Sequence, residues 1–117
     1  MPLLISHGWP GTIVEFLNVI DPLTNPEAHG GKAEDAFHVV CPSLPGYGFS
    51  GTTQREQVDT LAMAEIFAEL MARLGYDKYI AQGGDWGAII TSNLAIVDAD
   101  HLYGIHLNMP FGYALTE

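Results

Sequence analysis

The chain has 117 residues, 48% hydrophobic and only 15% charged, which gives one compact core and a single domain over residues 1–117 with no disordered or low-complexity tract. Fourteen acidic side chains against four basic ones (Lys32, Arg55, Arg73 and Lys78) leave a formal charge of -10, which repels phosphate backbones and anionic membrane surfaces. No apolar run reaches the ~20 residues of a bilayer span and no basic region precedes "PLLI", so neither nucleic acid nor membrane is expected as a partner and a cytoplasmic protein is expected.

In chain order, "PLLIS" at 2–6 is a short apolar run bounded by turn residues and reads as a buried strand. Thr12 opens a helical segment. Glu15, three residues later, completes a capping box in which each side chain satisfies an orphan N–H, and Pro22 closes the segment. The long polar loop "NPEAHGGKAED" leads to a second strand, "FHVVC" at 37–41. It ends in the single cysteine, Cys41, which excludes an internal disulfide and reads as a buried structural thiol.

The next helix places Met63, Ile66, Phe67, Leu70 and Leu74 on one face, with Asp59 as its cap, Gly75 as its terminator and Glu69–Arg73 as an i,i+4 pair. "KYIAQ" at 78–82 is a third strand. A helix from Trp86 to about Ala99, apolar nearly all round, and a fourth strand, "YGIHL" at 103–107, follow. His38 and His106 fall within strands and read as satisfied core residues, whereas Asp98 and Asp100 read as solvated helix-end residues. Alternating strands and helices predict an α/β fold: a mainly parallel sheet of about four strands with three helices on both faces. A core strand beginning at the second residue, and "GYALTE" following the fourth strand with no closing helix, are expected of an internal piece of a larger protein.

In such a sheet, working groups gather beyond the carboxyl ends of the strands. Three strands end in unusual sequence: "SHGWPG", "PSLPGYGFSG" and "GGDWG". In the last, Gly83 and Gly84 precede Asp85, and Trp86 and Gly87 follow it, at a strand-to-helix junction. Small residues two before and two after the central position match a nucleophile elbow, a turn too tight for flanking side chains. With aspartate there, the chemistry is attack on saturated carbon, an alkyl-enzyme ester, and then attack of water on the ester carbonyl. The helix N-terminus beyond favours the ionised carboxylate. The oxyanion of the ester step needs N–H donors, for which the backbone of Trp86 and of Trp9 are the candidates. Gly8 and Gly11 let the first loop approach closely, and Pro10 stiffens it. His7, on the same rim, is assigned an orienting or packing role.

These motifs, in this order and spacing, resemble the epoxide hydrolases of the α/β-hydrolase fold, closest to the microsomal-type branch. The resemblance covers essentially the whole chain as a partial α/β-hydrolase core and places the strands in the spatial order second, first, third, fourth. It implies hydrolysis of a small apolar epoxide by water to a vicinal diol, with no cofactor and no metal. Asp85 is the nucleophile it implies, Trp9 and Trp86 supply the oxyanion hole, and Trp9–Pro10 is a cis peptide. By the same resemblance Gly46, Tyr47, Gly48, Phe49 and Ser50 form a site-shaping loop. The family's water-activating histidine, its orienting acid and its lid tyrosines have no counterpart in this sequence.

Other readings stand beside this one. A haloalkane dehalogenase also uses aspartate followed by tryptophan, and a non-catalytic remnant or interaction module of this fold is a rival of another class. Asp85 can alternatively be a plain helix cap. "GYGFSG" fits G-x-G-x-x-G, but Pro42 and Pro45 separate it from the strand and the next helix begins only near Asp59, which argues against a dinucleotide. The five histidines show no metal-ligand spacing.

Overall fold

The computed structural model describes residues 1–54 and 57–112; residues 113–117, most of the "GYALTE" end, lie outside the described residues. Its four strands are β1 (Pro2–Ser6), β2 (His38–Val40), β3 (Tyr79–Gly83) and β4 (Leu102–Leu107), and its three helices are α1 (Leu17–Thr24), α2 (Thr60–Arg73) and α3 (Trp86–Val97). All strand pairs are parallel, and the order β2-β1-β3-β4 is the one the resemblance implies. Ser6 pairs with Gly83, and Gly83 with Leu107. The carboxyl ends of β1, β3 and β4 therefore finish level, and their loops leave on one rim.

Leu4, Tyr79 and Ala81 form one apolar face of the sheet, against which Met63, Phe67 and Met71 of α2 and Ile90 and Leu94 of α3 pack. Burial of this set supplies most of the fold's apolar driving force, each large side chain contributing about 1.5–3 kcal/mol. The α2 stripe is centred on Met63, Ala64, Phe67 and Met71, whereas Leu74, expected in the core, is 52% exposed. The i,i+4 row 63–67–71 meets α3, and the helix ends at Arg73, so the capping residue Leu74 turns out toward solvent.

Both ends of α2 follow the sequence reading. The Ala62 N–H donates to Asp59 Oδ1 at 2.9 Å. At the other end Gly75, with φ 85°, allows two reverse bonds, from its own N–H to the Ala72 carbonyl and from the Tyr76 N–H to the Met71 carbonyl, each 3.0 Å. The ion pair between Arg73 and Glu69 forms at 2.7 Å on the wet side.

Several expectations give way. The segment after Thr12 starts as a 3-10 turn, Ile13–Phe16, before α1. Thr12 caps the Val14 N–H, but the reciprocal bond from Glu15 does not form. Pro22 lies inside α1 instead of closing it; the carbonyl its ring leaves unpaired belongs to Asn18, which is exposed and reaches water. The polar loop carries two 3-10 turns, Pro26–His29 and Ala33–Asp35. β4 is mostly exposed, and so are His38 and His106, because β2 and β4 are the outer strands of the described sheet and have a neighbour on one side only. Among the described residues no helix is long and apolar enough to cross a membrane.

Candidate active site

Asp85 sits between the end of β3 and the start of α3 with φ 52° and ψ -129°, the one non-glycine residue at positive φ among those described. A side chain held there costs of order 1–3 kcal/mol, and it persists only where the surroundings impose it. Here they do. A Cβ on Gly83 would run into the Gly87 carbonyl, and one on Gly87 into the Ser6 carbonyl, so helix and strands touch backbone to backbone around the turn. Gly84 is different: a Cβ there would meet Asn108 at an ordinary 3.4 Å, so space does not demand glycine at that position.

The carboxylate is received by the loop after β1. The Trp9 N–H donates to Asp85 Oδ1 at 2.6 Å, and a Cβ on Gly8 would collide with the same carboxylate. The backbone N–H groups of Trp86 and Trp9 together hold Asp85 below its ordinary carboxylate range. Asp85 occupies the N-cap position of α3, but its side chain forms no cap hydrogen bond there, its carboxylate being taken by the Trp9 N–H, which counts against the plain helix-cap reading. The loop itself is a tight turn closed by the Gly11 N–H on the Gly8 carbonyl at 2.9 Å, with a cis Trp9–Pro10 peptide.

His7 is buried beneath this turn. Its Nε2 accepts from the Leu44 N–H at 3.0 Å, which makes Nδ1 the protonated nitrogen, donating to the Gly8 carbonyl at 2.9 Å. The Tyr47 ring packs edge-on against it with centroids 5.7 Å apart. Histidine thus ties the loop after β1 to the loop after β2, with both nitrogens occupied. The latter loop closes on itself through Ser50 Oγ to the Ser43 carbonyl at 2.6 Å and the Gly46 N–H to the Gly51 carbonyl at 3.0 Å. Gly46 and Gly48 stand at positive φ, Phe49 projects into solvent, and the next helix opens only at Thr60, so this loop presents no helix terminus to a pyrophosphate.

Asp85 lies in an open concavity of about 360 Å³ whose walls include Glu15, Phe16, Trp9, Gln82 and Asn108. Sequence reasoning missed Gln82, Asn108 and the outward role of Glu15. The Gln82 amide bonds the Asn108 amide, and the Asn108 N–H donates to the Gly83 carbonyl at 3.2 Å. Asn108 directly follows β4, so the rule that brought three loops to one rim covers the fourth as well. Glu15 has its carboxylate against Gly11 instead of the Thr12 N–H.

A larger concavity of about 560 Å³ lies between α2 and the far end of α3, and no elbow residue lines it. Asp98 borders it and is not a solvated helix end: its side chain is 14% exposed and accepts from Tyr79 Oη and His101 Nδ1, both at 2.6 Å. The turn after α3 folds Asp98 back over the first residue of β3. Asp98 in turn raises the pKa of His101. Cys41 is only half-buried, yet burial pushes its thiol up to about 11, far from a reactive thiolate. Among the described residues no group of three or more metal-ligating side chains gathers.

Comparison with known proteins agrees with this architecture. Epoxide hydrolase 1 of Oryctolagus cuniculus is 47% identical over 108 residues, 92% of this chain and 24% of the relative. The crystal structure of juvenile hormone epoxide hydrolase from Bombyx mori superposes with a TM-score of 0.83 at 45% identity, over 93% of this chain and 28% of that one. For the epoxide hydrolase of Aspergillus niger the TM-score is 0.81 at 34% identity, over 100% and 30%. The chain thus spans about a quarter of the length of the curated relatives it matches. The family model of the alpha/beta hydrolase fold matches residues 1–116, and with the parallel sheet and the strained strand-to-helix turn in place, the chain belongs to the α/β-hydrolase fold family.

Proposed function

We propose that this chain carries the nucleophile and the oxyanion hole of an epoxide hydrolase. The observation that bears most weight is the Asp85 carboxylate on a strained backbone, with Oδ1 taken by the Trp9 N–H at 2.6 Å. That bond leaves Oδ2 as the attacking atom. It displaces the ring oxygen from one epoxide carbon, the C–O bond of the ring breaks, and the alkoxide takes a proton from solvent water as the aspartyl ester forms. Water then adds to Cγ, giving up a proton to solvent, and negative charge develops on Oδ1, to which the Trp9 N–H already donates, while the Trp86 N–H also favours negative charge on this carboxylate. Collapse of the tetrahedral intermediate releases the vicinal diol and restores the carboxylate. Trp9 and Trp86, 61% and 46% exposed, offer their rings as apolar walls. His7 and Tyr47 position the first loop; His7 is no base for the water, since both its nitrogens are engaged. The named activities of the relatives support this reaction over halide displacement.

Incubation of the purified chain with styrene oxide, followed by intact-mass spectrometry and diol analysis, tests the reading. An added mass of one epoxide, or diol above the uncatalysed level, is expected. Folded protein that gives neither contradicts it.

A further inference from the structure

The walls of the Asp85 concavity carry a second carboxylate that the proposed reaction does not use. Glu15 lines the same space, is exposed, and makes no ion pair among the described residues. Its position is tied to that of Asp85 through one turn. The Gly8 end touches the Asp85 carboxylate, and the Gly11 end touches Glu15 Oε1, while the Gly11 N–H bonds the Gly8 carbonyl at 2.9 Å. The ends of such a turn lie within about 7 Å of each other, so the two carboxylates flank one turn and face one concavity. Among the described residues no lysine or arginine lines the concavity, so none of them offsets the two negative charges there. The other polar wall residues, the hydroxyl of Ser6 and the amides of Gln82 and Asn108, are neutral.

We infer that Glu15 is a charge filter: it makes the site select uncharged or cationic epoxides and reject those bearing a carboxylate or phosphate near the ring. This rests on Asp85 acting as the nucleophile, and it narrows the substrate class by a residue outside the reacting atoms. A second negative charge on the wall of this open concavity lowers the local concentration of an anion there by about three- to tenfold.

The test uses the full chain and three small epoxides similar in size: glycidamide (neutral), glycidate (anionic) and glycidyltrimethylammonium (cationic). Rates of adduct formation are read by mass spectrometry for wild type, Glu15→Gln and the remote surface control Glu27→Gln. Relative to glycidamide, Glu15→Gln should gain about three- to tenfold with glycidate and lose with the cation. Both changes should shrink in about 0.5 M salt, while Glu27→Gln should leave the ratios near wild type. A purely structural role for Glu15 would move all three rates together and would not respond to salt. Unchanged ratios in Glu15→Gln with adducts still forming would overturn the filter alone, and equal shifts in Glu27→Gln would assign the effect to net charge. Absence of any adduct from wild type would overturn the nucleophile reading and the filter with it.

Discussion

At the scale of single residues, the site is organised by what each side chain can still do once its neighbours are satisfied. Asp85 keeps its charge because two backbone N–H groups favour the ionised form, so its pKa lies below the ordinary value of 3.8. Adduct formation should therefore hold level as pH falls through that ordinary value and decline only beneath it; a rate profile with its midpoint at or above 3.8 would contradict the assignment. His101 is shifted the other way by its bond to Asp98, up from 6.5. For a group whose folded pKa is raised, the stabilisation is complete below the unfolded value and fades as pH rises through the folded one. Urea midpoints should thus fall slightly as pH climbs past 6.5, and Asp98→Asn should flatten that slope. An NMR titration placing His101 in Asp98→Asn above its wild-type midpoint would refute the pairing.

Among the elements, the contacts at the elbow and the ends of α2 carry separable predictions. Gly87→Ala drives a methyl into the Ser6 carbonyl, and Gly83→Ala drives one into the Gly87 carbonyl. Each should cost about 2–3 kcal/mol in denaturant unfolding, whereas Gly84→Ala, whose methyl meets Asn108 at ordinary contact distance, should cost under about 1 kcal/mol. Equal losses at all three positions would mean that the turn is not packed as described. At α2, Asp59→Ala should cost about 1 kcal/mol through the lost cap. Arg73→Ala should cost less than about 0.5 kcal/mol, because its ion pair with Glu69 is exposed. Much of this was legible in the sequence. Periodicity and caps located β1, α2 and α3, and small residues two either side of Asp85 marked the elbow. What was not legible depends on neighbours in space. Pro22 sits in α1 only because the carbonyl it strands faces water, and His106 is exposed only because its strand is an outer one. Asp98 is enclosed because the chain folds back onto Tyr79. Glu15 had a plausible local partner in Thr12, so nothing local signalled that it faces the site.

Over the whole molecule, charge and exposed apolar surface oppose one another. A formal charge of -10 keeps copies apart, while Trp9, Val14, Leu17 and Phe49 are each at least 60% exposed. Screening the charge should therefore promote self-association. Sedimentation velocity is expected to show a mass that rises with protein concentration and more steeply at high salt; a constant monomer mass across both would count against it. The parallel sheet brings four loops to one rim, and the function proposed for that rim converges on a single atom, Oδ2 of Asp85. Peptide mapping of the epoxide-treated chain tests it most directly. One added epoxide is expected on the peptide containing Asp85, and none anywhere in Asp85→Asn. An adduct on another residue, or an equal yield in Asp85→Asn, would contradict it.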